Sequence, residues 1–367
     1  MMSGEFEVEA SEGLARAGIL STDHGDVLTP VFMPVGTRGM VRTIAPWEVE
    51  AAGFQILLSN TYHLMLRPGP EAIKNIGGIQ RFAGWRGAML TDSGGFQVMS
   101  LGARFDENGV VFKSVYDGST QRLSPERAVE IQEDFGSDIA MVLDVCTMLP
   151  ADLDTLAKAL TLTVDWARRA KAARSSPTQA LFGIVQGGTD LELRVESAQA
   201  TAEIGFDGYA IGGLAVGEER DLTVETVAVT TSHLPSDRAR YLMGVGDPYT
   251  IVEAVANGVD MFDCVSPTRL GRHGTALTTS GKVHLRRKEN LSDQGPIDIQ
   301  CGCPTCREMP RSIISHLLRV DEGSAGVLIG VHNLWFMADF MRNIREAIRE
   351  GTLTELRQQT RDTWSRI

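Results

Sequence analysis

Cysteine is scarce in this chain, with five in 367 residues. That is too few for a disulfide scaffold at such a length. Long apolar runs are missing too. None approaches the roughly 18 to 20 residues of a membrane helix, so a helical membrane span is excluded. The opening MMSGEFEVEASEG is acidic and lacks the basic-then-apolar pattern of a secretory leader. No low-complexity tract and no exact internal repeat occurs. These absences point to a soluble cytoplasmic protein. Net positive charge is lacking as well. The formal balance of −12 argues at first against a nucleic-acid partner.

The distribution changes that reading. From Cys264 to Arg319 there are nine Lys/Arg and four Asp/Glu, a local +5, which leaves −17 for the rest of the −12 total. One basic face on an acidic body is compatible with a phosphate-binding patch. At 43% hydrophobic residues, the chain can bury a large core, and its length allows one barrel or two ordinary domains.

Short apolar runs alternate with longer amphipathic stretches. The runs are Thr29–Val35, Gln55–Ser59, Ala88–Thr91, Ile139–Leu143, Ala180–Val185, Gly208–Ile211, Arg240–Met243 and Val259–Phe262. Near-continuous apolar strands suit a parallel sheet buried on both faces. Ser124-Pro125-Glu126 reads as a helix start, with a capping Ser and Pro in the first turn. Further helices are expected over Asp152–Ala173, Glu192–Ile204 and Pro248–Asn257. Eight such units predict an α/β fold, a (β/α)8 TIM barrel, with a doubly wound sheet as the alternative. A barrel places functional groups just after its strands. The residues there are Gly36, Asn60, Asp92, Asp144, Gln186, Gly212-Gly213, Gly244 and Asp263. Each alone says little, because Asp and Gly are common in loops. As a set they bring carboxylates, amides and glycines to one rim.

The three remaining cysteines cluster. Cys301, Cys303 and Cys306, followed by His332, give C-x-C-x2-C-x25-H. Three thiolates and one imidazole fill a tetrahedral Zn2+ site with no open position, so the expected role is structural. His332 is expected to begin a helix that the metal pins to the preceding loop. His316 is a competing ligand by residue type, but lies in an apolar helical pattern that suggests a core or interface position.

The strings TDSGGFQVMS from Thr91, MFDCVSPTRLGR from Met261, GIVQGG, IGGLAVGE, SNTYHL and YLMGVG, together with the cysteine cluster, resemble the tRNA-guanine transglycosylase family of bacterial type. The resemblance covers nearly the whole chain. It implies a zinc-bearing barrel that exchanges guanine at the wobble position of tRNAs with a U-G-U anticodon context. Cleaving a ribose–base bond while keeping the RNA intact calls for a carboxylate nucleophile and a second carboxyl that moves protons. The resemblance makes Asp263 the nucleophile and Asp92 the general acid/base. It maps the base pocket onto Asp144, Gln186, Gly213 and Leu214, with Phe96 and Met243 sandwiching the ring. It assigns Arg269 and Arg272 to the flanking bases. Val216 and Cys146 lie at the pocket rim, and the resemblance places Val216 where queuine-using members tend to have Gly, which narrows the site toward the prequeuosine base. Departures from the family pattern are Asp247 where a basic residue is common, Val145 where many members are acidic, and Phe96 in place of Tyr.

The resemblance also implies a homodimer, with Ile313, Ile314, Leu317, Leu318 and Trp335 as interface candidates. The expected division is a barrel core over 1–264 closed by C-terminal helices, a zinc-binding and tRNA-contacting segment over 265–332, and a C-terminal helix over 333–367. The early end of the chain argues against archaeal-type members with added RNA-binding domains. Two other classes stay open. A non-catalytic partner subunit is opposed by the presence of Asp92, Asp144 and Asp263. An unrelated barrel hydrolase would leave the zinc cluster and basic stretch without a role.

Overall fold

A computed structural model describes residues 3–365. Its centre is a closed parallel barrel. The strands are β1 (Val31–Gly36), β2 (Ile56–Asn60), β3 (Ala88–Asp92), β4 (Ile139–Met141), β5 (Ala180–Val185), β6 (Gly208–Ile211), β7 (Ala239–Leu242) and β8 (Met261–Cys264). Each pairs with its neighbours in sequence, and β8 returns to β1 through Met261–Val31 and Phe262–Phe32. The expected (β/α)8 barrel is therefore the observed one. All six residues of β5 and all five of β2 are buried, as strands packed on both faces must be.

Boundaries moved where local chemistry decided them. The expected first strand is split at Pro30. Val27–Thr29 pairs antiparallel with Ala15–Leu20, and β1 starts at Val31, whose N–H donates to the Asp260 carbonyl at 2.8 Å. Proline has no N–H to give a ladder. The fourth strand stops at Met141, so Asp144 stands on the loop beyond it.

Side-chain oxygens cap the helices that follow several strands. Ser124 accepts from Arg127 N, Asp152 from Thr155 N, Asp190 from Leu193 N and Asp247 from Thr250 N. Each cap satisfies a first-turn donor, typically contributing about 1 kcal/mol. Asp247, the departure at a position commonly basic, thus serves its own helix Pro248–Ala256. At the other departure, Val145 is buried and its N–H donates to Thr163 Oγ1 at 2.9 Å.

Two small sheets were not foreseen. Phe6–Glu12, Ala15–Leu20 and Val27–Thr29 form one, and it covers the N-terminal ends of the barrel strands. Its Arg16 pairs with buried Asp260, just before β8, and donates to the Arg238 carbonyl, just before β7. The other, Arg104–Asp106, Gly109–Lys113 and Thr120–Leu123, is inserted between β3 and its helix Pro125–Phe135. With the N-terminal end sealed, the open mouth is at the C-terminal ends.

After β8 come the helix Ser266–Arg272, a hairpin of Thr275–Thr278 and Gly281–His284, and the helices Pro304–Glu308, Arg311–Arg319, Ser324–Glu350 and Leu353–Trp364. Ala276, Leu285, Ile297, Ile314, Leu318, Ala325 and Ile329 make a second, smaller core. The long helix starts at Ser324, ahead of the expected start at His332. Its early residues Ala325 and Ile329 serve the small core, whereas Val331, Leu334, Met337, Met341 and Ile344 serve the barrel core. Among the interface candidates, Ile314 and Leu318 point inward, which removes them from any partner surface, and Ile313 is 45% exposed. His316 is also exposed and not a core residue.

Candidate active site

The barrel mouth holds a cavity of about 320 Å³. Of the residues singled out in the sequence, Asp92, Phe96, Asp144, Cys146, Gly213, Leu214, Val216, Met243, Asp263 and Arg269 line it. Gln186 lies directly behind the wall, buried, and Arg272 is outside the lining set.

Asp92 ends β3 and Asp263 is the third residue of β8. Each keeps a little surface toward the cavity and is otherwise enclosed by protein. Asp92 is held by three donors. Asn60 Nδ2 lies 2.6 Å from Oδ2, and the N–H groups of Thr61 and Gly94 donate to Oδ1 at 3.1 and 3.0 Å. Burial pushes its pKa up to about 7 against these donors, with a smaller push from the Asp263 charge. Two carboxylates in one cavity cannot both ionise at low cost. Asp263 is held differently. The Tyr241 hydroxyl donates to Oδ1 at 2.5 Å and Gly244 N–H to the same oxygen at 2.7 Å. Burial raises its pKa while both donors pull it back. Tyr241, enclosed beside that charge, titrates well above the ordinary tyrosine value and stays a donor.

The floor of the cavity is a second polar set. Gln186 Nε2 donates to Asp144 Oδ2 at 2.6 Å, and Ser93 Oγ lies 3.5 Å from Oδ1. Burial lifts the Asp144 pKa to about 6. Cys146, pushed up to about 12 by burial and next by the Asp144 charge, is a neutral thiol. Glycine is required at Gly213, where φ is +66° and a Cβ would meet Gln186 Oε1 at 2.3 Å. Phe96 is 50% exposed at the rim. A large apolar ring open to solvent beside a cavity is suited to stacking on a flat ligand.

Sequence reading missed three residues that shape this site. Tyr241 lies two residues before Met243 and, at strand spacing, points the same way; that alternation was the available signal. Arg194 is fully buried on the helix Leu191–Ile204. It donates to the carbonyls of Gly188, Val185 and Gly212 at 2.6, 3.1 and 2.8 Å, tying the loops after β5 and β6 together. Glu218 accepts from Val216 N–H and Thr223 Oγ1 at 3.0 and 2.7 Å and from Ala215 N–H. It thereby fixes the loop in which Ala215 adopts a φ of +56°. Arg194 has no sequence signal, because its partners are backbone carbonyls brought together by the fold, whereas the partners of Glu218 lie within five residues of it.

The ligand atoms of Cys301, Cys303, Cys306 and His332 all lie within 4.8 Å of one another. Cys306 Sγ and Cys303 Sγ are 3.3 and 3.6 Å from His332 Nδ1. A tetrahedral zinc ion would space its S and N ligands about 3.5 to 3.8 Å apart, given Zn–S of about 2.3 Å and Zn–N of about 2.0 Å. His332 Nε2 is 2.8 Å from the Leu277 carbonyl. That contact puts the proton on Nε2 and leaves Nδ1 free toward the cysteines. The group fits a metal ion.

A family model described as Queuine tRNA-ribosyltransferase matches residues 11–366. Curated relatives agree with it. The Queuine tRNA-ribosyltransferase of Thermotoga neapolitana is 50% identical over 362 residues, covering 98% of each chain. That of Thermus thermophilus is 50% identical over 94% of this chain and 90% of its own. That of Cereibacter sphaeroides is 49% identical, covering 95% and 94%.

Proposed function

Because the chain belongs to the queuine tRNA-ribosyltransferase family, we propose that this pentosyltransferase exchanges guanine at the wobble position of tRNAs with a U-G-U anticodon context for the prequeuosine base. One observation carries the mechanism. Three carboxyls, Asp92, Asp144 and Asp263, reach a single cavity. Asp144 is engaged by Gln186 and Ser93, and Asp92 has its pKa lifted to about 7. A proton carrier works best when its pKa is near the working pH. Asp263, with two donors on one oxygen, keeps Oδ2 for attack on ribose C1′. The bond from C1′ to guanine breaks as the bond to Asp263 forms, and protonated Asp92 gives its proton to the departing base. The incoming base then returns a proton to Asp92 and displaces Asp263, so configuration is retained. Positive charge developing at C1′ favours ionised Asp263 and offsets its burial.

Asp144, Gln186 and the backbone of Gly213 and Leu214 complement the hydrogen-bonding edge of a guanine-like base. Phe96 and Met243 stack on it. The target nucleotide leaves its stack to enter. Val216 and Cys146 at the wall leave room for a small aminomethyl arm and not for a bulky substituent. Arg269 and Arg272 read the flanking bases. Neither makes an ion pair among the described residues, and Arg272 keeps a buried Nη1 without a partner there. The Cys301/Cys303/Cys306/His332 group holds one structural Zn2+. The working form is a cytoplasmic homodimer, with the exposed face at Ile313 and His316 available to a partner.

Incubation with tRNA and labelled guanine tests the activity, and trapping the covalent adduct tests the assignment. Asp263→Asn is expected to abolish the adduct while retaining tRNA binding. A ribose ester mapped to Asp92 would reverse the two roles.

A further inference from the structure

Outside the cavity, three chain segments converge on one ring. Tyr116 lies in the turn between Gly109–Lys113 and Thr120–Leu123. The Arg67 guanidinium is 4.5 Å from its centroid and that of Arg38 is 5.8 Å away. Arg38 follows β1, and Arg67 caps the helix Thr61–Leu66 that follows β2. The ring is mounted firmly. Its hydroxyl is 3.1 Å from His63 Nδ1, Val115 N–H donates to the Tyr62 hydroxyl at 3.4 Å, and Tyr62 packs on Phe112 at 5.4 Å.

Two exposed guanidiniums gathered on one ring repel each other. Among the described residues neither makes an ion pair or a hydrogen bond. The adjacent carboxylate, Asp117, accepts from Ser119 N–H and Oγ at 3.1 and 2.8 Å and feels the Arg67 charge without forming an ion pair with it. Some exposed arginines find acids, as Arg127 finds Glu130 and Arg122 finds Asp106. Others, such as Arg42 and Arg81, stand alone among the described residues, but Arg38 and Arg67 are gathered on one ring. An arrangement that brings two fork-shaped cations together with no carboxylate in direct contact is complementary to a phosphate.

The placement suits RNA. Thr37, next to Arg38, and Asn60, which caps the helix leading to Arg67 and donates to Asp92, both line the cavity. That six-residue helix spans about 9 Å, or two to three base steps at about 3.4 Å each. On the other side of β1, Arg269 and Arg272 follow β8. The rim over β8, β1 and β2 is thus an arc of cations, whereas Glu218 and Glu219 stand on the loop after β6 and Asp221 in the first turn of the helix Arg220–Thr231.

We propose that Arg38, Arg67 and Tyr116 form a receptor for a backbone phosphate of the tRNA on the β1–β2 side of the mouth. They are positioning residues that set which way the anticodon loop crosses the cavity. The proposal rests on tRNA being the substrate. It is tested with the full-length enzyme, by measuring tRNA affinity across a salt series and base exchange at varied tRNA. Arg38→Ala and Arg67→Ala are each expected to weaken binding about two- to fivefold, as for exposed ion pairs. The salt slope should become shallower by about 0.7 to 0.9 if a phosphate contact is lost. KM for tRNA should rise with kcat unchanged, and Arg67→Lys should restore the slope. An unchanged slope and KM in the double variant, with wild-type exchange intact, would overturn the receptor and leave the reaction standing. Wild type that neither binds tRNA nor exchanges guanine would remove the premise instead.

Discussion

Under the proposed mechanism, the protonation of Asp92 divides the reaction into two pH regimes. A carboxyl with a pKa of about 7 is mainly protonated below that pH and ionised above it. Release of guanine needs the proton, so single-turnover adduct formation should decline as pH rises past about 7. Capture of the new base needs the carboxylate, so that half-reaction should decline as pH falls below about 7. A rapid-quench pH series on each half-reaction checks both, and parallel profiles would speak against Asp92 as the shared proton carrier. Gly213→Ala is a second test at this scale. A methyl 2.3 Å from Gln186 Oε1 in a left-handed backbone costs at least about 1 to 2 kcal/mol of strain and displaces the Asp144 partner. KM for the incoming base should rise about tenfold or more with little loss of Tm. The carboxylates were legible in the sequence because barrel strands deliver them at their ends. Tyr241, Arg194 and Glu218 were not. Alternation with Met243 could have turned Tyr241 toward the cavity but not toward a carboxylate 22 residues away, and a guanidinium bound only to carbonyls leaves no local pattern.

Among the elements, the buried strands were readable and the covering sheets were not. ALFGIV and QILLS have apolar residues at nearly every position, the mark of a strand hidden on both faces. FEVEASE, RFD and TQRL carry charge and polar residues throughout, because each borders solvent on one side. The split at Pro30 was available from the missing N–H, but apolar continuity from Thr29 to Val35 masked it. The helix Leu191–Ile204 joins its neighbouring loops through Arg194. Arg194→Met should leave the Gly188 and Gly212 carbonyls without a donor, each worth about 1 to 3 kcal/mol when unsatisfied, while the Val185 carbonyl keeps the Gly212 N–H. The expected outcome is a Tm lowered by roughly 3 to 8 °C, with base affinity reduced in the surviving folded protein because the Gly212 carbonyl is no longer anchored. Chemical denaturation monitored alongside base binding measures both.

At the level of the whole molecule, the proposed zinc ion would be coupled to the fold through the small core. Seven side chains, two of them alanine, are few for ordering the segment between β8 and the long helix. A structural zinc site contributes on the order of 10 kcal/mol. Cys306→Ser, or chelation, should release zinc and raise hydrogen exchange across 275–319 while the barrel strands stay protected. Elemental analysis finding no zinc in chelator-free protein would refute the metal assignment. The cluster was legible because its spacing is local; the sharing of one helix between two cores was not, since it depends on where the chain returns. That sharing has a consequence for any attempt to take the protein apart. A rod whose first turns belong to one core and whose later turns belong to the other cannot be cut without exposing apolar surface at both ends. Excising the zinc segment for grafting onto another scaffold, or deleting it to obtain a minimal barrel, would leave Val331, Leu334 and Met337 either stranded or absent. The two cores therefore have to be inherited, expressed and redesigned together.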